Sequence, residues 1–233
     1  MLPDATVRYA DHDDAVIDLH LPVTPDGRVL VLVHGGFWKA AYDRRHTRPM
    51  ARALADLGWL VATPEYRRVG IGGGWPVTTD DVHLAVERLP SLLTGLGVPT
   101  GPVTVTGHSA GGHLALWLAC SSRLSLERVV GLAPVCDLRS AMGQGLGSDA
   151  TQAFLAGADP DPADPMALFS TRPSAPVAIV HGDADDAVPV GLSRGFVAAH
   201  PWVDLHELPG VGHMELIDPG SAAWATVVSA LDG

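Results

Sequence analysis

Short runs of apolar, mostly β-branched residues recur along the chain at 29–33, 60–63, 103–106, 129–132, 177–180 and 203–208. Most are separated by stretches with helical spacing, at 47–57, 80–93, 110–120, 190–199 and 221–231. Strands that are apolar on both faces and interleaved with helices predict a mostly parallel sheet covered on two sides. Two earlier runs, 6–9 and 15–21, alternate in polarity around the turn Asp11-His12-Asp13-Asp14 and predict an opening β-hairpin with one wet face. Right-handed crossovers place the loops that follow the parallel strands along a single edge of the sheet.

Two departures from this rhythm stand out. Thr78-Thr79-Asp80-Asp81 supplies capping side chains for the helix that follows. The segment around 137–175 is rich in Gly, Asp, Pro and Ala, with only short helical patterns near 149–155 and 165–169. A stretch of that length between two core strands reads as a small cap or lid over the site, and the whole of 1–233 reads as one domain.

The loops after the strands carry the candidate chemistry. Gly107-His108-Ser109-Ala110-Gly111 is a G-x-S-x-G pentapeptide between a β-branched run and an amphipathic helical pattern. A serine on a sharp strand-to-helix turn needs small neighbours, because a side chain there collides with the adjoining strand or helix. After the run at 29–33 comes His34-Gly35-Gly36-Phe37-Trp38, whose glycine pair lets backbone N–H groups turn toward a carbonyl oxygen gaining negative charge. The run at 177–180 opens into His181-Gly182-Asp183-Ala184-Asp185-Asp186, and the run at 203–208 into Gly210-Val211-Gly212-His213. The resulting order is serine, acid, histidine, unlike the chymotrypsin or subtilisin order.

On these segments the chain resembles the α/β-hydrolase superfamily from His34 to His213. Within it, His34-Gly35-Gly36-Phe37-Trp38 and the segment from Gly107 to His113 look like the small esterases and arylformamidases related to hormone-sensitive lipase and kynurenine formamidase. Phe37 stands where the lipase-type pattern carries a third glycine, which favours the H-G-G-x-W type of formamidase-like enzymes. The resemblance implies an α/β-hydrolase fold with a mostly parallel twisted sheet of about eight strands. It also implies a nucleophile at Ser109, an acid at Asp185, a base at His213, and an oxyanion hole from Gly36, Phe37 and Ala110. Asp137 is the rival acid, because some hydrolases of this architecture take their carboxylate from the end of that strand.

A serine hydroxyl is too weakly acidic to attack unaided, so the imidazole takes its proton and the carboxylate fixes the imidazole's tautomer. The expected reaction is hydrolysis of a small carboxylic ester through an acyl-enzyme, with formamide hydrolysis of the N-formylkynurenine type as the alternative. A catalytically inactive ligand-binding protein on the same scaffold is the reading from another class. Activity should rise with pH as the base loses its proton. Trp38 and Trp75, each after a glycine-rich loop, are candidates to line a substrate pocket or to pack in the core. His34 is expected to shape the oxyanion loop, and His108 and His113 to pack beside the elbow.

Composition narrows the partners. The chain has 233 residues, 47% of them apolar, enough for one core. Its 26 acidic against 15 basic residues give a formal net charge of -11, which disfavours nucleic acid and anionic membranes. No apolar run approaches a membrane span, so a cytoplasmic protein without membrane contact is expected. Histidines are scattered without ligand spacing, so neither metal nor cofactor is expected, only a small-molecule ester or amide substrate. Arg44, Arg45, Arg48, Arg67 and Arg68 read as two solvated basic patches, or as contacts for a carboxylate-bearing substrate. Cys120 and Cys136 read as free buried thiols.

Overall fold

The computed structural model describes residues 2–233. Its chain order is β1 (Ala5–Arg8), β2 (Val16–His20), β3 (Val29–Val33), α1 (Arg48–Asp56), β4 (Leu60–Pro64), α2 (Val77–Gly95), β5 (Val103–His108), α3 (Ala110–Ser121) and β6 (Leu126–Leu132). There follow α4 (Leu138–Gly143), α5 (Leu146–Leu155), α6 (Pro165–Leu168), β7 (Val177–Gly182), α7 (Gly191–Ala199), β8 (Asp204–Leu208) and α8 (Trp224–Asp232). The eight strands form one sheet in the order β1-β2-β4-β3-β5-β6-β7-β8. β1 and β2 pair antiparallel, as do β2 and β4; every other pair is parallel.

β3, β4, β5 and β7 are buried on both faces, as their continuous apolar runs require, whereas the edge strand β8, expected as an apolar run, is largely exposed. Along β3, Val29, Val31 and Val33 face a core built with Val82, Leu89, Leu114 and Phe196 of α2, α3 and α7. Leu30 and Leu32 face the other way, toward Met50 and Leu54 of α1 and Val227 and Leu231 of α8. The alternation of a strand thus divides one hydrophobic run between two cores.

Several expectations change. α3 is not amphipathic: Ala110 to Leu118 are all buried, because this helix packs on β3, β5 and β6 and is flanked by α2 and α6. The Thr78-Thr79-Asp80-Asp81 run does not cap α2, which begins at Val77 after Pro76 without a side-chain cap. Thr78 instead donates to the Arg67 carbonyl, and Asp81 receives the Arg67 guanidinium at 2.6 Å.

The hairpin's polar face is wet on β1, where Thr6 and Arg8 are exposed, but not on β2. Asp18 is fully buried, accepting from Arg44 at 3.0 Å and Arg48 at 2.7 Å. Burial opposes its charge, but hydrogen bonds from Arg48, Arg44 and Thr6 outweigh this and hold the carboxyl below its usual range. Arg68 is likewise sequestered against Asp14 at 2.7 Å and Glu65 at 3.4 Å. All five arginines read as solvated patches are in ion pairs: Arg45 is exposed beside Asp43, Arg67 is half-buried against Asp81, and Arg44, Arg48 and Arg68 are largely covered. Cys136 is buried as expected, whereas Cys120 at the end of α3 is exposed.

Candidate active site

The serine turn follows from close approach. A Cβ on Gly107 would collide with the backbone of Gly111, and one on Gly111 with the carbonyls of Val33 and His34. With glycine at both places, β5 and α3 meet tightly enough to force Ser109 to φ +59° and ψ -118°, a conformation that non-glycine residues adopt at a cost of about 1–3 kcal/mol. The Ser109 N–H donates to Leu132 O at 2.8 Å and its carbonyl accepts from His113 N at 3.0 Å, which pins the turn from both sides. Ser109 is only 2% exposed, at the wall of a cavity of about 320 Å3.

The 177–182 strand and the loop after β8 bring the other two groups to that cavity. Asp185 Oδ1 accepts from the N–H groups of Ala187 at 2.9 Å and Val188 at 2.8 Å, which fixes the carboxylate plane. Its Oδ2 lies 2.6 Å from His213 Nδ1 and 3.3 Å from His181 Nε2. Burial alone would raise the carboxyl's pKa. The hydrogen bonds from His181, His213 and Val188 reverse that and hold it well below the ordinary carboxylate range. An ionised Asp185 requires the proton of His213 on Nδ1, which leaves Nε2 with its lone pair.

His213 and Ser109 line the same cavity, and no hydrogen bond joins them among the described residues. Such bonds in unliganded hydrolases often form only when substrate orders the hydroxyl. The ring of His108 sits 4.3 Å from that of His213 and its Nε2 donates to the His213 carbonyl at 3.0 Å. Burial, then the neighbouring His213, push its pKa down to about 3. A neutral His108 therefore steadies the loop without placing a second charge beside it. The rival carboxylate Asp137 faces elsewhere, accepting from Ser140 N at 2.8 Å as the cap of α4.

The loop after β3 forms the facing wall. Gly36 has φ +105°, and a Cβ there would run into the Tyr42 ring. Phe37 and Trp38 follow at φ +51° and +56°, so two side-chain-bearing residues share the strain of turning the loop inward. The Phe37 N–H has no backbone partner among the described residues, and the Ala110 N–H, first in α3, has none within its helix. His34 anchors the loop from below: Nε2 lies 2.8 Å from Glu65 Oε1 and Nδ1 2.8 Å from the Gly35 carbonyl.

Neither tryptophan lines the cavity. Trp38 is fully buried, stacked on Phe154 at 4.6 Å and donating to His113 Nδ1 at 3.3 Å, because its positive φ turns the ring down into the core. Trp75 is half-buried against Trp117. The 137–175 segment does not roof the cavity either. It is fastened to α3, where His113 donates to Ala163 O at 2.8 Å, and it meets the Phe37 ring at Gly147. Lys39 Nζ donates to the Gly147 carbonyl at 2.6 Å, and Gly147, Ser148 and Asp149 all take left-handed angles around this contact. The sequence reading missed Glu65 and His46. Glu65 lies 31 positions from His34, and His46, which also lines the cavity, belongs to no motif.

Among the described residues, no group of three or more His, Cys, Asp or Glu side chains could hold a metal ion, and no helix is long and apolar enough to cross a membrane.

A mostly parallel sheet with this strand order, an elbow serine and a histidine loop at one edge define an α/β-hydrolase fold. The fold superposes on esterase B of Lactobacillus rhamnosis with a TM-score of 0.79 at 18% identity, covering 99% of this chain and 84% of that one. The BD-FAE family model matches residues 17–199, and the chain belongs to that family. Among curated relatives it is 31% identical over 106 residues to the probable carboxylic ester hydrolase LipM of Mycobacterium tuberculosis, covering 46% of this chain and 24% of that protein. It is 27% identical over 244 residues to esterase LipC of the same organism, covering 91% of this chain and 60% of that protein.

Proposed function

We propose that this protein is a serine hydrolase that cleaves small carboxylic esters through an acyl-enzyme on Ser109. The observation that carries the reading is the convergence on one cavity of a strained serine and a histidine whose Nδ1 is held at 2.6 Å by a buried carboxylate. The naming of LipM and LipC as ester hydrolases supports it.

In the first half-reaction His213 Nε2 takes the Ser109 proton as the oxygen attacks the ester carbon. The resulting oxyanion accepts from the N–H groups of Phe37 and Ala110, with Gly36 allowing the loop to approach. The partial positive charge at the start of α3 adds to that stabilisation. His213 then passes its proton to the leaving alcohol oxygen, and a water activated by the same imidazole releases the acid and restores the serine. Asp185 stays ionised throughout and holds the imidazole's orientation. A cavity of about 320 Å3 lies at the small end of ligand sites, which suits a short acyl chain.

A fluorophosphonate probe should label Ser109, and Ser109→Ala should lower turnover of p-nitrophenyl butyrate by about four to six orders of magnitude. Loss of less than tenfold would reject the nucleophile, and absence of labelling would favour a binding-only protein. Parallel kinetics on N-formylkynurenine measure formamide cleavage; a higher kcat/KM there than on any short ester would move the reading to an arylformamidase.

A further inference from the structure

The Ser109 cavity has a neighbour. Past His46 and Met214, which line both, lies a second hollow of about 330 Å3 bordered by Pro49, Ile217 and Pro219. The leaving-group oxygen must lie within reach of His213, since that imidazole returns the proton to it. Met214 follows His213 directly and, with His46, lines both hollows, so an alcohol portion within reach of that imidazole has this shared wall beside it.

The chemistry of that wall is set by one ring. His46 sits in the 3-10 turn Arg44–Thr47, with Nδ1 2.6 Å from the Asp43 carbonyl oxygen. A carbonyl only accepts, so Nδ1 carries the proton. Burial, then the proximity of His34, disfavour a second one. Nε2 is left as an acceptor, neither paired nor sealed off among the described residues. The second hollow offers no side-chain donor that would compete for it: Glu215 and Asp218 on its border are acceptors, engaged by the N–H groups of Gly212 at 2.7 Å and Gly220 at 2.8 Å.

Building on the ester-hydrolase reading, we propose that His46 is a specificity-determining residue. Its Nε2 accepts a hydrogen bond from a free hydroxyl on the alcohol portion of the substrate and so selects hydroxylated alcohols over alkyl or ether ones. An ether oxygen of the same size brings a lone pair against a lone pair. An alkyl group leaves the imidazole nitrogen stripped of water and unpaired.

The test is a comparison of kcat/KM on 2-hydroxyethyl, 2-methoxyethyl and propyl butyrate. The wild-type protein should prefer the hydroxyethyl ester to the methoxyethyl ester by about fivefold, the yield of one hydrogen bond between neutral groups. His46→Phe should bring that ratio to about one, and His46→Gln, which can present an amide oxygen to the same space, should recover part of it. A wild-type ratio of one overturns the proposal whatever the variants do. So does a ratio unchanged in His46→Phe or His46→Gln with a native melting transition. Should His46→Phe fail to fold, His46→Gln must still narrow the ratio, and an undiminished or widened one overturns it. Uniform Ser109-dependent hydrolysis of all three esters rejects only the role of His46. Hydrolysis of none, or equal hydrolysis by Ser109→Ala, rejects the ester-hydrolase reading itself.

Discussion

Two buried carboxylate–imidazole pairs in this molecule differ in what each ring leaves free. Asp185 and His213 meet at 2.6 Å, Glu65 and His34 at 2.8 Å, and both carboxylates are buried. In the first pair the acid occupies one ring nitrogen and the other is free in a cavity. In the second, both nitrogens of His34 face oxygens of the protein, so the ring has no atom left to receive a proton. A carboxylate beside a histidine is therefore not a signature of acid–base chemistry. The unoccupied nitrogen is.

Substitution should separate the pairs. Asp185→Asn is expected to cost about four orders of magnitude in kcat, because an amide in that place favours the wrong imidazole tautomer. Glu65→Gln should lose far less turnover but destabilise the fold by about 3–5 kcal/mol, since the buried His34 would lose its carboxylate partner and Arg44 and Arg68 one of the two that each holds. Comparable losses of kcat in both variants would erase the distinction. Chemical denaturation alongside steady-state kinetics reads both quantities.

Acid should find the second pair in the wild-type protein. Burial raises the pKa of Glu65, but the His34 hydrogen bond and charge and the nearby Arg44 and Arg68 reverse this, placing it at about 2 against an ordinary 4.5. A carboxyl depressed on folding stabilises above its unfolded pKa, so its contribution of about 3 kcal/mol is complete above roughly pH 4.5 and lost as the pH falls toward 2. The unfolding free energy of Glu65→Gln should fall less steeply over that window; an unchanged slope would place the proton uptake elsewhere. The smallest effect belongs to Tyr66→Phe. Its hydroxyl donates to the His34 carbonyl at 2.8 Å, and removing it should cost about 1 kcal/mol. A loss of kcat exceeding the loss of stability would mean that the oxyanion loop depends on this bond for its working shape.

What could be read from the sequence divides along the same line. The strands, their order of appearance and the segments containing Ser109, Asp185 and His213 were legible, because each segment follows an apolar run and is marked by glycines that its backbone needs. Partners of Asp18, Glu65 and Arg68 were not. They come from separate elements that only the folded sheet brings together, and an alternating strand with Asp18 on one face looks the same whether that face meets water or guanidinium groups. Trp38 stayed open between pocket and core for a local reason: beside a glycine-rich loop either is possible until a positive φ is known to turn its ring inward.

Gly147 meets the loop after β3 twice, through its carbonyl on Lys39 Nζ and through its Cα face on the Phe37 ring, where an added Cβ would come within 2.6 Å. Under the proposed mechanism, position 147 therefore acts on the Phe37 N–H from behind: enlarging that one residue would press on the ring and shift the rate without altering any group that lines the cavity.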